Sequence, residues 1–310
     1  MGADSILRTY GDTSAREDVV RDALEILTAR ETQIYNLLGK TTAINTIHAY
    51  QTDTLLTAAS LAVGEGEDYT ASVLTTPSRL TNLVEIVAKN FKVTRTQQDI
   101  AHYQGTNELQ RQTEKALMDW ANAAEFDLVR STLVSGVSGT APKMSGVIEA
   151  CSLANNHTSQ TSGTVWSASI LDGYLMSSWT NSNGDVPTEL FVGAILRRNT
   201  DYFTAKTNVV VNNPGGYTQI VKTVSTYTTA FSTLNVNTHR YIQAAIGTDT
   251  TGRVLLINPE KLKIAELRSP YIDTNLARSG DYDARAVVGK FTLEVHNQNT
   301  NFFSDGFLLS

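Results

Sequence analysis

One segment constrains this chain before any other. Leu109, Thr113, Ala116, Leu117, Trp120, Ala124 and Leu128 recur at steps of three and four, while Glu108, Arg111, Glu114, Lys115 and Asp119 fall on the other side. Such a stripe marks an amphipathic helix, because 3.6 residues per turn bring these spacings onto one face. The pattern predicts a helix over 107–134, ended by Gly136 and Gly139. At a rise of roughly 1.5 Å per residue it would run about 40 Å, long enough to act as the spine of a domain. The rest of the chain must supply an apolar surface of that length for the helix to lie on.

Charge is spread unevenly around this spine. Residues 1–136 carry 30 charged side chains, 137–250 only 12, and 251–310 another 14. The middle stretch is rich in Thr, Ser, Asn and Gly and reads as a subdomain of short strands and loops. A chain of 310 residues with 41% hydrophobic and 18% charged residues is globular rather than disordered. At this length roughly 75% of the unfolded surface can be buried. The net charge of −6 leaves no basic excess with which to hold a polyanion by counterion release. Cys151 stands alone, which excludes an intrachain disulfide and a Cys-based zinc site and fits a reducing compartment. Residues 1–30 have no apolar core of signal-peptide length, and the longest apolar run, Leu190 to Leu196, is too short to span a bilayer. The expectation is a protein made and folded in a cytoplasm, without a membrane partner.

Other elements follow from local pattern. Ser14-Ala15-Arg16-Glu17 is a capping box opening a helix over 15–38, with Val20, Ala23, Leu24 and Leu27 at helical spacing. A second box at Thr28-Ala29-Arg30-Glu31 suggests a restart, and Gly39 a stop. Residues 46–57 and 81–94 read as two strands, the second alternating in part with period two. More than twenty residues separate them, including Gly64-Glu65-Gly66-Glu67-Asp68 and Pro77. A loop so long is unusual inside a compact domain, and a hairpin projecting from the body explains it. Helices are expected over 169–180 and 193–205, and strands over 217–229, 253–257 and 286–296.

The search for chemistry yields no catalytic constellation. His48, His102, His157, His239 and His296 have no partner at metal-site spacing and read as scattered core or surface histidines. Gly39-Lys40-Thr41 imitates the end of a phosphate-binding loop, but Ile34 stands where a glycine is required and the triplet follows a helix instead of preceding one. A helix C-cap with a dipole-matched lysine is the better reading. Glu65, Glu67 and Asp68 could be imagined as a calcium site or a glycosidase pair, yet the calcium-loop spacing is missing and sequence neighbours on a loop are not held at catalytic distance. They read as a solvated or partner-facing acidic tip. Asp281 and Asp283 beside Arg278 and Arg285 read as surface ion pairs. No GxSxG elbow and no GxGxxG after a strand occurs. No enzyme activity and no cofactor are expected.

The order of parts is helical arm, long hairpin, long helix, polar β-rich middle and returning strands. It resembles the major capsid proteins of tailed bacteriophages, the Hong Kong 97-type fold. Local sequence supports the resemblance. Arg16-Glu17-Asp18 with Glu31-Thr32 and Leu37-Leu38-Gly39-Lys40 resembles the arm of one capsid branch. Tyr50-Gln51-Thr52-Asp53-Thr54-Leu55 is similar to its strand into the hairpin, Glu65-Gly66 to its hairpin signature, and Arg79 with Asn82 to its exit. Val93-Thr94-Arg95-Thr96 before the spine fits, as do Leu267-Arg268, Leu276 to Asp281, and Val295-His296-Asn297. Gln33 stands where the family often has Pro, and no Trp precedes Gln51. The likeness covers most of the chain and is weakest over 140–250.

The resemblance implies an α+β fold with an N-terminal arm over 1–45, an E-loop hairpin over 46–95, the P-domain spine helix over 96–139, a β-rich A-domain over 140–250 and returning strands over 251–310. It implies a subunit that assembles into hexamers and pentamers of an icosahedral shell around double-stranded DNA, without sequence-specific binding. A portal would join that shell, together with separate scaffolding and decoration proteins where these are used. The chain starts at Met1 with no long charged leader, which favours a separate scaffold, or none, over a fused one. The expected location is the virion shell, assembled in a bacterial cytoplasm. Glu65, Gly66, Glu67, Asp68 and Arg79 are the candidate assembly contacts. Some relatives cross-link subunits through a hairpin lysine, but this chain has no lysine between Lys40 and Lys89, so a non-covalent shell is expected. Rival readings are an encapsulin-type compartment, a β-rich adhesin or binding module, and a hydrolase using Glu65 and Glu67.

Overall fold

The computed structural model describes residues 32–308 apart from 57–58, 69–73, 101–106, 155, 162, 202, 204–208, 213–217, 222–224, 244–250 and 278–279. In chain order, helix α1 (Gln33–Leu37) leads into strand β1 (Gly39–Thr42). Strands β2 (Ile47–Thr52) and β3 (Ser78–Leu83) form the hairpin stem, and β4 (Glu85–Thr94) follows after a one-residue break. Next come α2 (Arg95–Asp99), the long α3 (Glu108–Arg130) and α4 (Val147–Leu153). The middle holds β5 (His157–Ser159), α5 (Ala168–Asn181), β6 (Glu189–Val192), α6 (Ala194–Asp201), β7 (Val209–Asn212), β8 (Thr218–Val221), β9 (Thr226–Thr228) and β10 (Thr233–Thr238). The chain ends with β11 (Thr251–Ile257), β12 (Leu262–Asp273), β13 (Tyr282–Val295) and β14 (Phe302–Leu308).

Among the described residues the strands build a four-stranded sheet, β1-β12-β13-β4, and a six-stranded sheet, β5-β14-β11-β6-β10-β9. β2 pairs only with β3, and β7 only with β8. One short 3-10 turn, Pro259–Lys261, carries the chain from β11 in the larger sheet to β12 in the smaller. Period-two alternation explains why β11 reads as a continuous apolar run. Leu255 and Ile257 point into the core shared with α3, while Val254 and Leu256 point into a second core with α5 and α6. β6 and β14 divide in the same way, Phe191 and Phe303 on one side and Leu190, Val192, Phe302 and Phe307 on the other. A sheet covered on both faces needs apolar residues at every position.

The long helix spans Glu108–Arg130 and packs on β4 and β13. Asn107 caps it, its side chain accepting from the Leu109 N–H. It stops at Ser131, whose backbone is extended, short of the expected residue 134. Gly136 and Gly139 lie beyond it in a narrow excursion bridged at Val134–Lys143 and Val137–Thr140, where Gly139 adopts φ +85°. Leu117, expected on the buried stripe, is 39% exposed. The covered arc is narrow at its level and widens toward the C-terminal end, where Glu125, Leu128 and Val129 are all buried. Trp120 is the centre of the contact. Its indole N–H donates to the Val87 carbonyl at 2.9 Å, and its ring meets Tyr35 and Phe291 edge-on. Gly289 of β13 makes room for it: a Cβ there would overlap the indole ring.

Several expectations need correction. The first part of the 15–38 helix and both capping boxes lie outside the described residues, and the helix that is described ends at Leu37. Gly39-Lys40-Thr41 is not a C-cap; it belongs to β1, parallel to Lys263–Glu266 of β12. The strand expected over 81–94 is two strands broken at Val84, whose N–H bonds Thr46 O as the chain turns from stem to sheet. The 217–229 strand divides into β8 and β9. Asp281 lies 3.7 Å from Arg95, Arg285 donates to Thr113, and Arg278 lies outside the described residues.

Trp120→Ala should destabilise the fold by about 3–5 kcal/mol, since a large aromatic leaves a cavity in a packed core. A denaturant titration measures this; a change under about 0.5 kcal/mol would be incompatible with a buried Trp120.

Candidate functional site

The most distinctive surface is the hairpin. Its stem is a six-rung antiparallel ladder from Ile47–Leu83 to Thr52–Ser78. The stem is fastened to the body by Asn82, which is 5% exposed. Its Nδ2 donates to the carbonyls of Ser145 (3.1 Å) and Leu293 (2.8 Å), and its Oδ1 accepts from the Ser145 N–H at 2.9 Å. A buried amide with its donors and acceptor satisfied is a specific tie. Beyond the stem the described side chains are bare: Leu55 is 94%, Leu61 86% and Leu74 84% exposed. An isolated subunit gains nothing from these residues, because apolar area stabilises only when removed from water.

The acidic turn lies within this loop. Gly66 adopts φ +86°. The Glu67 carboxylate accepts from the Gly64 N–H at 3.1 Å, and the Glu67 N–H bonds Gly64 O. Glu65, Glu67 and Asp68 are exposed. Arg79 sits apart from them, on β3 opposite Gln51 and also exposed. Among the described residues no ion pair joins Arg79 to the turn. The structure thus brings Glu65, Gly66, Glu67 and Asp68 together and leaves Arg79 on the stem.

Three further features escaped the sequence. Glu125, on the long helix, is 0% exposed. Its carboxylate accepts from the N–H groups of Ile34 and Tyr35, both at 2.7 Å, and lies 2.8 Å from His239 Nε2. It therefore caps α1, which lacks a side-chain cap of its own, and ties that helix to the end of β10. Next, the histidines are not scattered singly. His48 and His296 both approach Glu294, and His157 approaches Asp305; His102 lies outside the described residues. Finally, two carboxyl groups lie near the base of the 131–146 excursion, Glu85, which accepts from Ser131 and Met144, and Asp127, close enough to feel its charge. Burial pushes Asp127 up to about 6, with the Glu85 charge adding to the shift and Lys143 opposing it. Glu85 is raised as well, by burial, against hydrogen bonds from Met144 N–H and the Ser131 hydroxyl.

Burial pushes the Cys151 thiol up to about 12, so it carries no thiolate near neutrality. Among the described residues no group of three or more His, Cys, Asp or Glu side chains is placed to hold a metal ion. Likewise, no helix there is long and apolar enough to cross a membrane.

Comparison with known proteins gives a family. A family model described as SU10 major capsid protein matches residues 7–306. No curated protein matches the sequence. Among solved structures, a chain from Mycobacterium phage Adephagia is similar at TM-score 0.64 and 12% identity, covering 98% of each chain. One from Gordonia phage Cozz is similar at TM-score 0.63 and 14% identity, covering 98% of this chain and 95% of that one. The SrpI encapsulin of Synechococcus elongatus PCC 7942 has a similar fold at TM-score 0.59 and 11% identity, covering 93% of each.

The raised Asp127 makes a pH prediction. An acid held above its unfolded value contributes stability that is present below that value and lost as pH rises through the folded value. Asp127→Asn should match the parent near pH 4 and melt at a higher temperature than the parent at pH 7 to 8. Thermal melts at both pH values check this; an equal difference at the two would contradict it.

Proposed function

Because this chain belongs to the SU10 major capsid protein family, we propose that it builds the head of a tailed phage as hexamers and pentamers of an icosahedral shell around double-stranded DNA. The observation that carries the reading is the hairpin: a stem tied down by a buried amide, presenting bare leucines and an acidic turn. Such a surface is stabilising only when a second copy covers it. The acidic turn would dock on a basic or polar surface of the neighbour, with Arg79 on the stem available to the same interface. Each exposed charge contact is worth roughly 0–1 kcal/mol and weakens with salt, so repetition over many copies supplies the strength. The net charge of −6 suits a container that does not bind its genome tightly.

In this reading residues 1–45 are the arm, 46–95 the E-loop, 96–139 carry the spine, 140–250 are the A-domain, and 251–310 return to both sheets. A portal joins the shell, with scaffold and decoration proteins as separate chains, and assembly takes place in the bacterial cytoplasm. An encapsulin compartment is the second reading, favoured by the SrpI likeness in fold; the family match weighs toward the phage head.

Purified protein should form closed particles or capsomers by light scattering, and removal of residues 60–76 should leave a folded subunit that no longer assembles. A sharp monomer at high concentration, with or without scaffold, would count strongly against the reading, and unfolding of the deletion would place the loop in the core.

Assembly should also be non-covalent. No lysine lies between Lys40 and Lys89 to act as a cross-linking amine, and Cys151 is buried. Mature particles boiled in detergent with reductant should run as one band near the monomer mass; a ladder surviving reduction would refute this.

A further inference from the structure

The hairpin stem and the 131–146 excursion share one base. The stem turns into the four-stranded sheet between Asn82, in β3, and Glu85, the first residue of β4. The excursion leaves the end of α3 and returns to the start of α4. Packing does not fix the angle of the stem. One of its faces, with Ile47 and Leu83, borders an open groove of about 400 Å³ that Ser135, Gly136 and Pro142 of the excursion also line. Its other face, with Tyr50 and Leu80, borders a hollow of about 210 Å³ that reaches Leu133 and Leu153. Groups that face a gap forfeit dispersion contacts, so polar ties at the base must hold the stem.

We propose that the excursion is a brace whose base, rather than its apex, sets the direction of the hairpin. Asn82 of the stem binds one residue of the brace twice: its amide donates to the Ser145 carbonyl and accepts from the Ser145 N–H, as a neighbouring strand would. Ser145 is in turn fixed from both sides. Met144 is buried in the core, and its N–H donates to Glu85 Oε2 at 3.2 Å, the same oxygen that accepts from the Ser131 hydroxyl at 3.2 Å. The Gly146 N–H donates to the Ser131 carbonyl at 2.8 Å. Gly146 also lies so close to the end of α3 that a Cβ there would meet the Leu128 carbonyl oxygen at 2.9 Å and the Ser131 nitrogen at 3.0 Å. Both limbs of the brace are thus clamped to α3 and β4, and the stem takes its bearing from the clamp. The remaining ties, Asn82 to the Leu293 carbonyl and His48 to Glu294, lead to β13 instead. A shift at 144–146 therefore costs the stem two of its polar ties and leaves the others in place. The apex is set apart from this base by the Val134–Lys143 pair, which two backbone hydrogen bonds join.

Hydrogen exchange of the full-length, unassembled protein tests the brace. Gly146→Ala places its new carbon against α3 and so displaces the base. It should speed exchange of peptides over 47–52 and 78–83 about fivefold, the effect of losing one buried hydrogen bond, while peptides over 251–257 keep their protection. Ser131→Ala removes the hydroxyl tie to Glu85 without adding bulk, and should give a smaller change in the same direction; it carries the test if Gly146→Ala does not fold. Joining Val134 to Lys143 through Asn-Gly, a two-residue hairpin turn, deletes the apex and should leave exchange of the stem as it was. Unchanged stem exchange in the folded base variants, or a stem loosened by removal of the apex alone, would overturn the proposal. The readout is local and precedes assembly, so its failure leaves the shell reading standing, and failure to assemble leaves the brace standing.

Discussion

The burial of one long helix along two sheets is the constraint on which this molecule depends. α3 must cover apolar surface for 23 residues, and both sheets contribute to it. β4 and β13 receive the Trp120 half, while Leu255, Ile257, Phe191 and Phe303 of the larger sheet join the same core. The helix therefore joins two sheets between which the chain itself crosses at Pro259–Lys261 and again at Gln298–Thr300. Glu125 makes that union specific. A buried carboxylate is costly unless its lone pairs are satisfied, and here they are taken by the adjacent N–H groups of Ile34 and Tyr35 and by the His239 imidazole, two segments far from Glu125 in the chain. Shifting any one of them would remove a hydrogen bond from a carboxyl group that water does not reach.

What the sequence disclosed and concealed follows from the range of the interactions. The spine, α5 and β11 were legible because periodicity and apolar runs are local signals. β1 and β12 were not: Gly39-Lys40-Thr41-Thr42 looks like a helix stop until Lys263–Glu266 lies alongside it, more than two hundred positions later. The carboxylate partners of the histidines were hidden for the same reason. His48 finds Glu294 at a separation of 246 residues and His239 finds Glu125 at 114, distances no spacing rule covers. Glu125 itself was hidden because an acidic residue beside Ala124 scores as the polar side of a helix. The acidic turn was visible through its glycines, because a tight turn is a local signal.

The contrast between stem and tip is one of division of labour. Asn82 and the six-rung ladder spend hydrogen bonds on holding a base that has little apolar area of its own, while the apolar residues are displaced outward. Under the proposed shell reading, surface that would normally stabilise a monomer is kept for contact between copies. The subunit is accordingly expected to be only marginally stable until it is part of a larger structure.

Cys151 has a consequence of a different kind. It is the single thiol of the chain, 1% exposed in the core beneath the long helix and without thiolate character. A maleimide or similar reagent can reach it only when the core around it opens. Its labelling rate therefore times the opening of the core, and the natural protein carries its own clock for that event, with no engineered probe.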